Sequence, residues 1–148
     1  MARGQQVKEV GDEEMPSELF NKGLAVRKKV LGEAYVQKSL AGADSFMMMF
    51  QELVTEACWG KVWAREGLTL KQRSMLNIAI IATLGRSNEL KLHLKGALNN
   101  GCGPEEIGEI LLQVATYAGM PAGLDGFKVA RETFAEAGIT IAPAEPRG

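Results

Sequence analysis

The two residues whose types and spacing best suit acid–base chemistry are Glu89 and His93. His93 is the only histidine in the 148-residue chain. Residues four apart share one face of a helix, so the carboxylate and the imidazole can meet there. A neighbouring carboxylate would raise the pKa of the imidazole and fix its orientation. We therefore take His93 and Glu89 as candidate catalytic residues for proton transfer. A purely structural pair would have the same spacing.

Two further residue types suit the binding of a small organic anion. Arginine binds a carboxylate through two parallel hydrogen bonds, and large aromatic side chains can shield a pocket from water. The same side chains also serve as surface charges or core packing, and the sequence leaves both roles open. The candidate substrate-binding residues are Arg65, Arg73, Arg86, Trp59, Trp63 and Tyr117.

The cysteine count argues against metal and dithiol chemistry. Cys58 and Cys102 lie far apart in the chain and form no CxxC motif. With a single histidine, the chain is not expected to build a metal site. We expect both cysteines to be small packing residues in the core.

Composition narrows the class of protein further. Lys plus Arg total 17 and Asp plus Glu total 18, for a formal net charge of −1. This balance argues against a dedicated nucleic-acid binder or a protein of anionic membrane surfaces. No signal peptide or transmembrane run is evident, so we expect a cytoplasmic protein.

Apolar residues recur with helical spacing throughout, which predicts an all-α fold of about six helices. We expect a flexible N-terminal arm at 1–15, one helical domain at 16–138 and a flexible tail at 139–148. Glycines and prolines mark the helix ends, and Thr69 with Gln72 has the form of a capping box. Ser87 is expected to cap the following helix.

Two regions of the N-terminal half carry more specific expectations. The residues between Gly32 and Ser45 are predicted to be a polar linker, and Arg27 is expected to be solvated together with the two lysines that follow it. The next helix, at 45–63, is apolar on several sides around 47–49. This pattern favours a central position or a subunit interface.

Several motifs, in order, resemble the carboxymuconolactone decarboxylase family, whose wider group includes AhpD-like proteins. Residues 59–68 read WGKVWAREGL, and 73–76, 97–101, 105–107 and 117–121 continue the similarity around Glu89 and His93. Upstream, 27–32 (RKKVLG) and 35–36 (YV) resemble the 4-carboxymuconolactone decarboxylase branch. The resemblance covers about residues 20–135 and implies an AhpD-like helical fold.

The resemblance implies decarboxylation of 4-carboxymuconolactone, a dicarboxylate from protocatechuate breakdown, to β-ketoadipate enol-lactone and CO2 without a cofactor. It also implies a homo-oligomer, often a trimer or a hexamer. In this interpretation His93 is the proton donor oriented by Glu89. The arginines bind carboxylates or the developing dienolate, while the aromatic residues exclude water from the leaving carboxylate.

Departures from the family pattern keep other functions open. The redox branch carries a Glu, a CxxC pair and a His, whereas this chain has Ser74, Arg86 and Glu89 at the first three positions. An AhpD-like peroxidase or disulfide reductase is therefore disfavoured, because dithiol exchange needs two thiols within reach. Differences at 37–38 and after Pro121 leave room for another small-carboxylate or lactone enzyme, or a non-catalytic binding subunit.

Overall fold

The computed structural model describes residues 15–146, which contain helices and no strand. This confirms the all-α fold class. Nearly all of the expected N-terminal arm lies outside the described residues. The described elements are α1 (Glu18–Leu31), α2 (Glu33–Ala41), α3 (Ser45–Leu53), a π-helical segment (Val54–Trp63), α4 (Leu70–Thr83), α5 (Ser87–Asn99), α6 (Pro104–Ala118) and α7 (Met120–Glu136).

Local side-chain chemistry sets several helix starts. The Thr69 hydroxyl accepts from the Gln72 backbone N–H at 3.1 Å, and the Gln72 side chain accepts from the Thr69 N–H at 2.9 Å, which confirms the capping box. The prediction for Ser87 is wrong. Ser87 is the first residue of α5, and the preceding residue, Arg86, provides no side-chain cap.

The predicted linker between α1 and α3 is also wrong, because residues Glu33–Ala41 form α2. Val36 is the only buried residue of this helix. A nine-residue helix with one buried position has no apolar stripe to reveal it in the sequence.

Two hydrophobic cores organise the described chain. The first core fills the space between α4, α5, α6 and α7, and its buried members are almost all aliphatic, among them Ile78, Leu94 and Leu111. The second core lies between α1, α2 and the π-helical segment, and it includes Trp59 and Trp63. Helix α5 contributes to the first core on one side and packs against α1 on another.

Helix α1 and the π-helical segment approach closely at two glycines. A Cβ atom on Gly23 would lie 2.1 Å from the carbonyl oxygen of Thr55 and 2.7 Å from the backbone nitrogen of Gly60. A Cβ atom on Gly60 would lie 2.7 Å from the carbonyl oxygen of Leu19. Only glycine permits this backbone-to-backbone contact, which fixes the π-helical segment against α1.

No helix within residues 15–146 is long and apolar enough to cross a membrane.

Candidate active site

The π-helical segment positions the two tryptophans of the chain. The backbone N–H of Ala64 donates to the carbonyl of Trp59 at 3.0 Å, the five-residue step of a π-helix. The indole rings of Trp59 and Trp63 stack with centroids 4.7 Å apart and an interplanar angle of 27°. Both side chains are buried. π-helical turns are rare and recur at functional sites.

His93 of α5 lies against this tryptophan pair. Its ring centroid is 6.4 Å from that of Trp59 and 6.3 Å from that of Trp63, with interplanar angles of 6° and 23°. Burial lowers the pKa of His93, because a desolvated imidazole disfavours the charged form. The structure therefore corrects the expected rise of this pKa and favours a neutral imidazole at pH 7.

Asn77 of α4 is the hydrogen-bond partner of His93. Its side-chain amide nitrogen, Nδ2, lies 3.3 Å from Nδ1 of the imidazole. When the amide donates, Nδ1 carries no proton and the neutral ring keeps its proton on Nε2. The pair therefore leaves His93 with one N–H donor, on the nitrogen away from Asn77.

Glu89 does not make the contact with His93 that its spacing suggests in the described structure. Its side chain is exposed in the first turn of α5, and no hydrogen bond joins it to His93 in the described structure. The two residues share a helix, but His93 turns toward Asn77 and the tryptophans. A carboxylate in the first turn is stabilised by solvent and by the helix dipole, and moving it to the buried ring would remove that solvation.

The predicted arginines occupy two different environments, half-buried and exposed. Arg73 is half-buried, its Nη2 donates to the backbone carbonyl of Arg65 at 3.2 Å, and its Nε is buried without a partner among the described residues. The side chains of Arg65 and Arg86 are exposed. Tyr117 is 83% exposed at the end of α6, so it does not join the buried tryptophan pair within this chain.

Arg27 is a buried polar residue that the sequence interpretation placed wrongly in solvent. Only 6% of it is exposed. Its Nη1 donates to Oε1 of Gln51 at 2.8 Å and to Oγ1 of Thr55 at 3.1 Å. A signal was present in the sequence, because Arg27 falls between Leu24 and Leu31 on the apolar stripe of α1.

Cys58 is half-buried and packs against the core that contains the tryptophan pair. Burial raises the pKa of its thiol, while the Arg27 charge and a hydrogen bond with Trp63 act in the opposite direction. Cys58 and Cys102 are both free thiols, and only Cys102 is fully buried. No cluster of three potential metal ligands occurs between residues 15 and 146.

Known proteins are similar to this sequence over most of its length. The sequence model of the carboxymuconolactone decarboxylase family matches residues 49–132, a range that contains the π-helical segment, Asn77 and His93. A 4-carboxymuconolactone decarboxylase of Acinetobacter baylyi is 40% identical over 81% of this chain and 90% of its own. The nitrosuccinic acid decarboxylase npaB of Metarhizium robertsii is 43% identical over 82% of this chain and 85% of its own. The chain belongs to the carboxymuconolactone decarboxylase family.

Proposed function

We propose that the chain is a decarboxylase that converts 4-carboxymuconolactone to β-ketoadipate enol-lactone and CO2 without a cofactor, within protocatechuate catabolism. The observation that carries this proposal is the desolvated, neutral His93 beside the stacked Trp59 and Trp63. The similarity to the Acinetobacter decarboxylase over 81% of the chain supports the same reaction.

The substrate itself supplies the electron sink. The ring carbon that bears the leaving carboxylate is conjugated, through the ring double bond, with the lactone carbonyl. When the carbon–carbon bond to the carboxylate breaks, CO2 leaves and the electron pair moves onto the lactone oxygen as a dienolate. A proton from solvent then bonds to ring carbon. A hydrogen-bond donor at the lactone oxygen stabilises the transition state more than the ground state.

His93 suits the role of this hydrogen-bond donor. With Asn77 on Nδ1, the neutral ring presents the Nε2–H group. An imidazolium acting as a general acid would need the charged form that burial disfavours. Trp59 and Trp63 exclude water from one side of the imidazole, which strengthens a hydrogen bond to a developing oxyanion.

The structure gives less support to a substrate-binding role for the arginines and Tyr117. Arg73 has a buried Nε available for a carboxylate or for the dienolate. Arg65, Arg86 and Tyr117 are exposed and would reach a substrate only where another subunit covers them.

Nitrosuccinate is the second candidate substrate, because the Metarhizium decarboxylase is 43% identical to this chain. A nitro group next to the leaving carboxylate accepts the electron pair as the lactone does. The same donor at the developing oxyanion would serve both reactions.

The test is a decarboxylation assay with both compounds. We expect CO2 release and loss of lactone absorbance with 4-carboxymuconolactone, with the enol-lactone identified by NMR. His93→Ala should lower kcat about 100- to 1,000-fold, the usual cost of removing one oxyanion donor. Undiminished turnover in His93→Ala would remove His93 from the mechanism. Activity with nitrosuccinate alone would replace the first substrate by the second.

We also propose a homo-oligomer, a trimer or a hexamer, in the cytoplasm. Exposed apolar side chains form stripes on α3, on α4 and across the α6–α7 turn, and contiguous apolar surface of this kind marks protein interfaces. The members of these stripes are Phe46, Met49, Phe50 and Leu53; Leu76, Ile80 and Leu84; and Leu112, Met120 and Leu124. Light scattering tests the assembly, and a stable monomer would contradict it.

A further inference from the structure

Arg27 carries hydrogen-bonding capacity that the described fold does not use. Its Nη1 is satisfied by Gln51 and Thr55, whereas its Nε is buried and has no partner in residues 15–146. None of the ion pairs in the described structure involves Arg27. The guanidinium is thus a buried cation held by two neutral oxygens.

Such an arrangement is costly for folding alone. Guanidinium keeps its charge inside a protein, and a buried charge without a counter-ion destabilises the folded state. The neutral acceptors fix one nitrogen of the group and leave the edge formed by Nε and Nη2 available. That edge presents two parallel N–H groups, the geometry that matches a carboxylate.

Arg27 contacts the π-helical segment, which carries the tryptophan pair of the candidate active site. Arg27 donates to Oγ1 of Thr55 at 3.1 Å, and Thr55 belongs to the same π-helical segment as Trp63. Trp63 in turn stacks against His93. Arg27, Trp63 and His93 belong to α1, the π-helical segment and α5, and the π-helical segment contacts both the buried cation and the candidate oxyanion donor.

The two candidate substrates share a structural unit that needs such a cation. In 4-carboxymuconolactone, the carbon that loses CO2 also bears a carboxymethyl group, and the same is true of nitrosuccinate. Each is therefore a substituted succinate, with one carboxylate lost and one retained. The electron sink differs between them, but the retained carboxylate does not.

We propose that Arg27 binds the retained carboxylate of a substituted succinate through its Nε and Nη2 groups, held in place by Gln51 and Thr55. This inference rests on the proposed function for the identity of the substrate. The leaving carboxylate is the wrong partner, because an ion pair with it would stabilise the ground state and be lost as CO2 forms. The retained carboxylate keeps its charge throughout, so Arg27 contributes uniform binding and its loss raises KM more than it lowers kcat.

The binding test uses succinate and monomethyl succinate, monitored by the fluorescence of the two tryptophans. The wild-type protein should prefer succinate, because the monoester lacks one carboxylate. Arg27→Lys keeps the positive charge but loses the two parallel N–H groups of the guanidinium. It should therefore weaken succinate binding about tenfold. Arg27→Met should abolish the preference. Arg131→Gln, which removes an exposed arginine of α7, should leave it unchanged.

Kinetics on the lactone supply the second measurement. Arg27→Lys should raise KM about 10-fold or more while kcat changes much less. The inference is overturned if a folded Arg27→Lys protein keeps the wild-type KM and the wild-type preference for succinate. If Arg27→Met fails to fold, the KM and the succinate preference of Arg27→Lys still test the inference. A wild-type protein that decarboxylates neither compound would refute the proposed function, while the succinate titrations would still test Arg27 directly.

Discussion

The two hydrophobic cores of the chain are built on different principles. The core between α4 and α7 is almost entirely aliphatic, and its largest fully buried side chains include Ile78, Leu94, Ile107 and Leu111. The core around α1 and the π-helical segment contains a tryptophan pair, and beside it lies a buried guanidinium with two polar acceptors.

This difference indicates that the first core mainly stabilises the fold, whereas the second core carries the candidate active site. Each aliphatic side chain buried in the first core stabilises the fold through the hydrophobic effect and needs no polar partner. The second region contains a buried charge and a glycine contact between backbones, both of which cost stability, and a π-helical turn of the kind that recurs at functional sites. His93 lies at the border, on a helix whose Leu90 and Leu94 belong to the first core.

The largest expected effect comes from adding one methyl group at the α1 contact. In Gly23→Ala the new Cβ would lie 2.1 Å from a backbone oxygen, where nothing can rotate away, and we expect a loss of more than about 4 kcal/mol or failure to fold. Gly126→Ala is the matched change at the α6–α7 contact. Its Cβ would meet the flexible end of Leu111 at 2.6 Å, so a loss of about 1–3 kcal/mol is expected.

Denaturant unfolding of both variants checks this contrast. Gly108→Ala provides the control, because nothing lies within 4 Å of its new Cβ and alanine is the better helix former. That control should be stabilised by about 0.5–1 kcal/mol. Equal losses in Gly23→Ala and Gly126→Ala would contradict this prediction, because the two helix contacts would then tolerate an added methyl group equally.

The sequence predicted the aliphatic core better than the site. Helical periodicity gave most of the helices, and the Thr69 capping box was visible from side-chain type and spacing. The π-helical turn was not predicted, because a shift in backbone hydrogen bonding leaves no side-chain pattern. Trp59, Trp63 and His93 were among the candidates, and the structure brings them together.

The missed residues of the site have two different causes. Asn77 and His93 lie on separate helices, and only tertiary packing shows that they meet. Spacing within one helix is the only geometry that a sequence offers, and this spacing favours Glu89 as the partner of His93. Arg27, by contrast, lies on an apolar stripe of α1, and its charge alone wrongly indicates exposure.

A smaller effect should follow from the pKa of His93. In the unfolded chain the imidazole regains its ordinary pKa near 6.5, whereas burial lowers that pKa in the folded protein. The unfolded state therefore binds more protons between the two values, and the free energy of unfolding falls as the pH drops below about 6.5. The slope reaches at most about 1.4 kcal/mol per pH unit for one proton.

Denaturant unfolding at pH 7.5 and pH 5.5 measures this slope, and His93→Gln should flatten it. Because His93 is the only histidine, no other imidazole contributes. The lowered carboxylate pKa values of Glu106 and Glu136 remove stability only at a more acidic pH, below about 4.5. An identical slope in His93→Gln would show that His93 is not desolvated in the folded protein.

The smallest expected effect distinguishes the two residues that could orient His93. Asn77→Ala removes the hydrogen bond at Nδ1, so the neutral ring can place its proton on either nitrogen and the Nε2–H donor is no longer fixed. We expect kcat to fall about tenfold with KM nearly unchanged, as for a lost partner of a positioned group. Asn77→Ser, which retains a hydroxyl donor, should recover part of the loss. Glu89→Gln should change kcat little, because the Glu89 side chain is exposed and the ring hydrogen-bonds to Asn77 instead. The opposite ranking, a large loss in Glu89→Gln and none in Asn77→Ala, would mean that the helical pair rather than the α4–α5 contact holds the imidazole during the reaction.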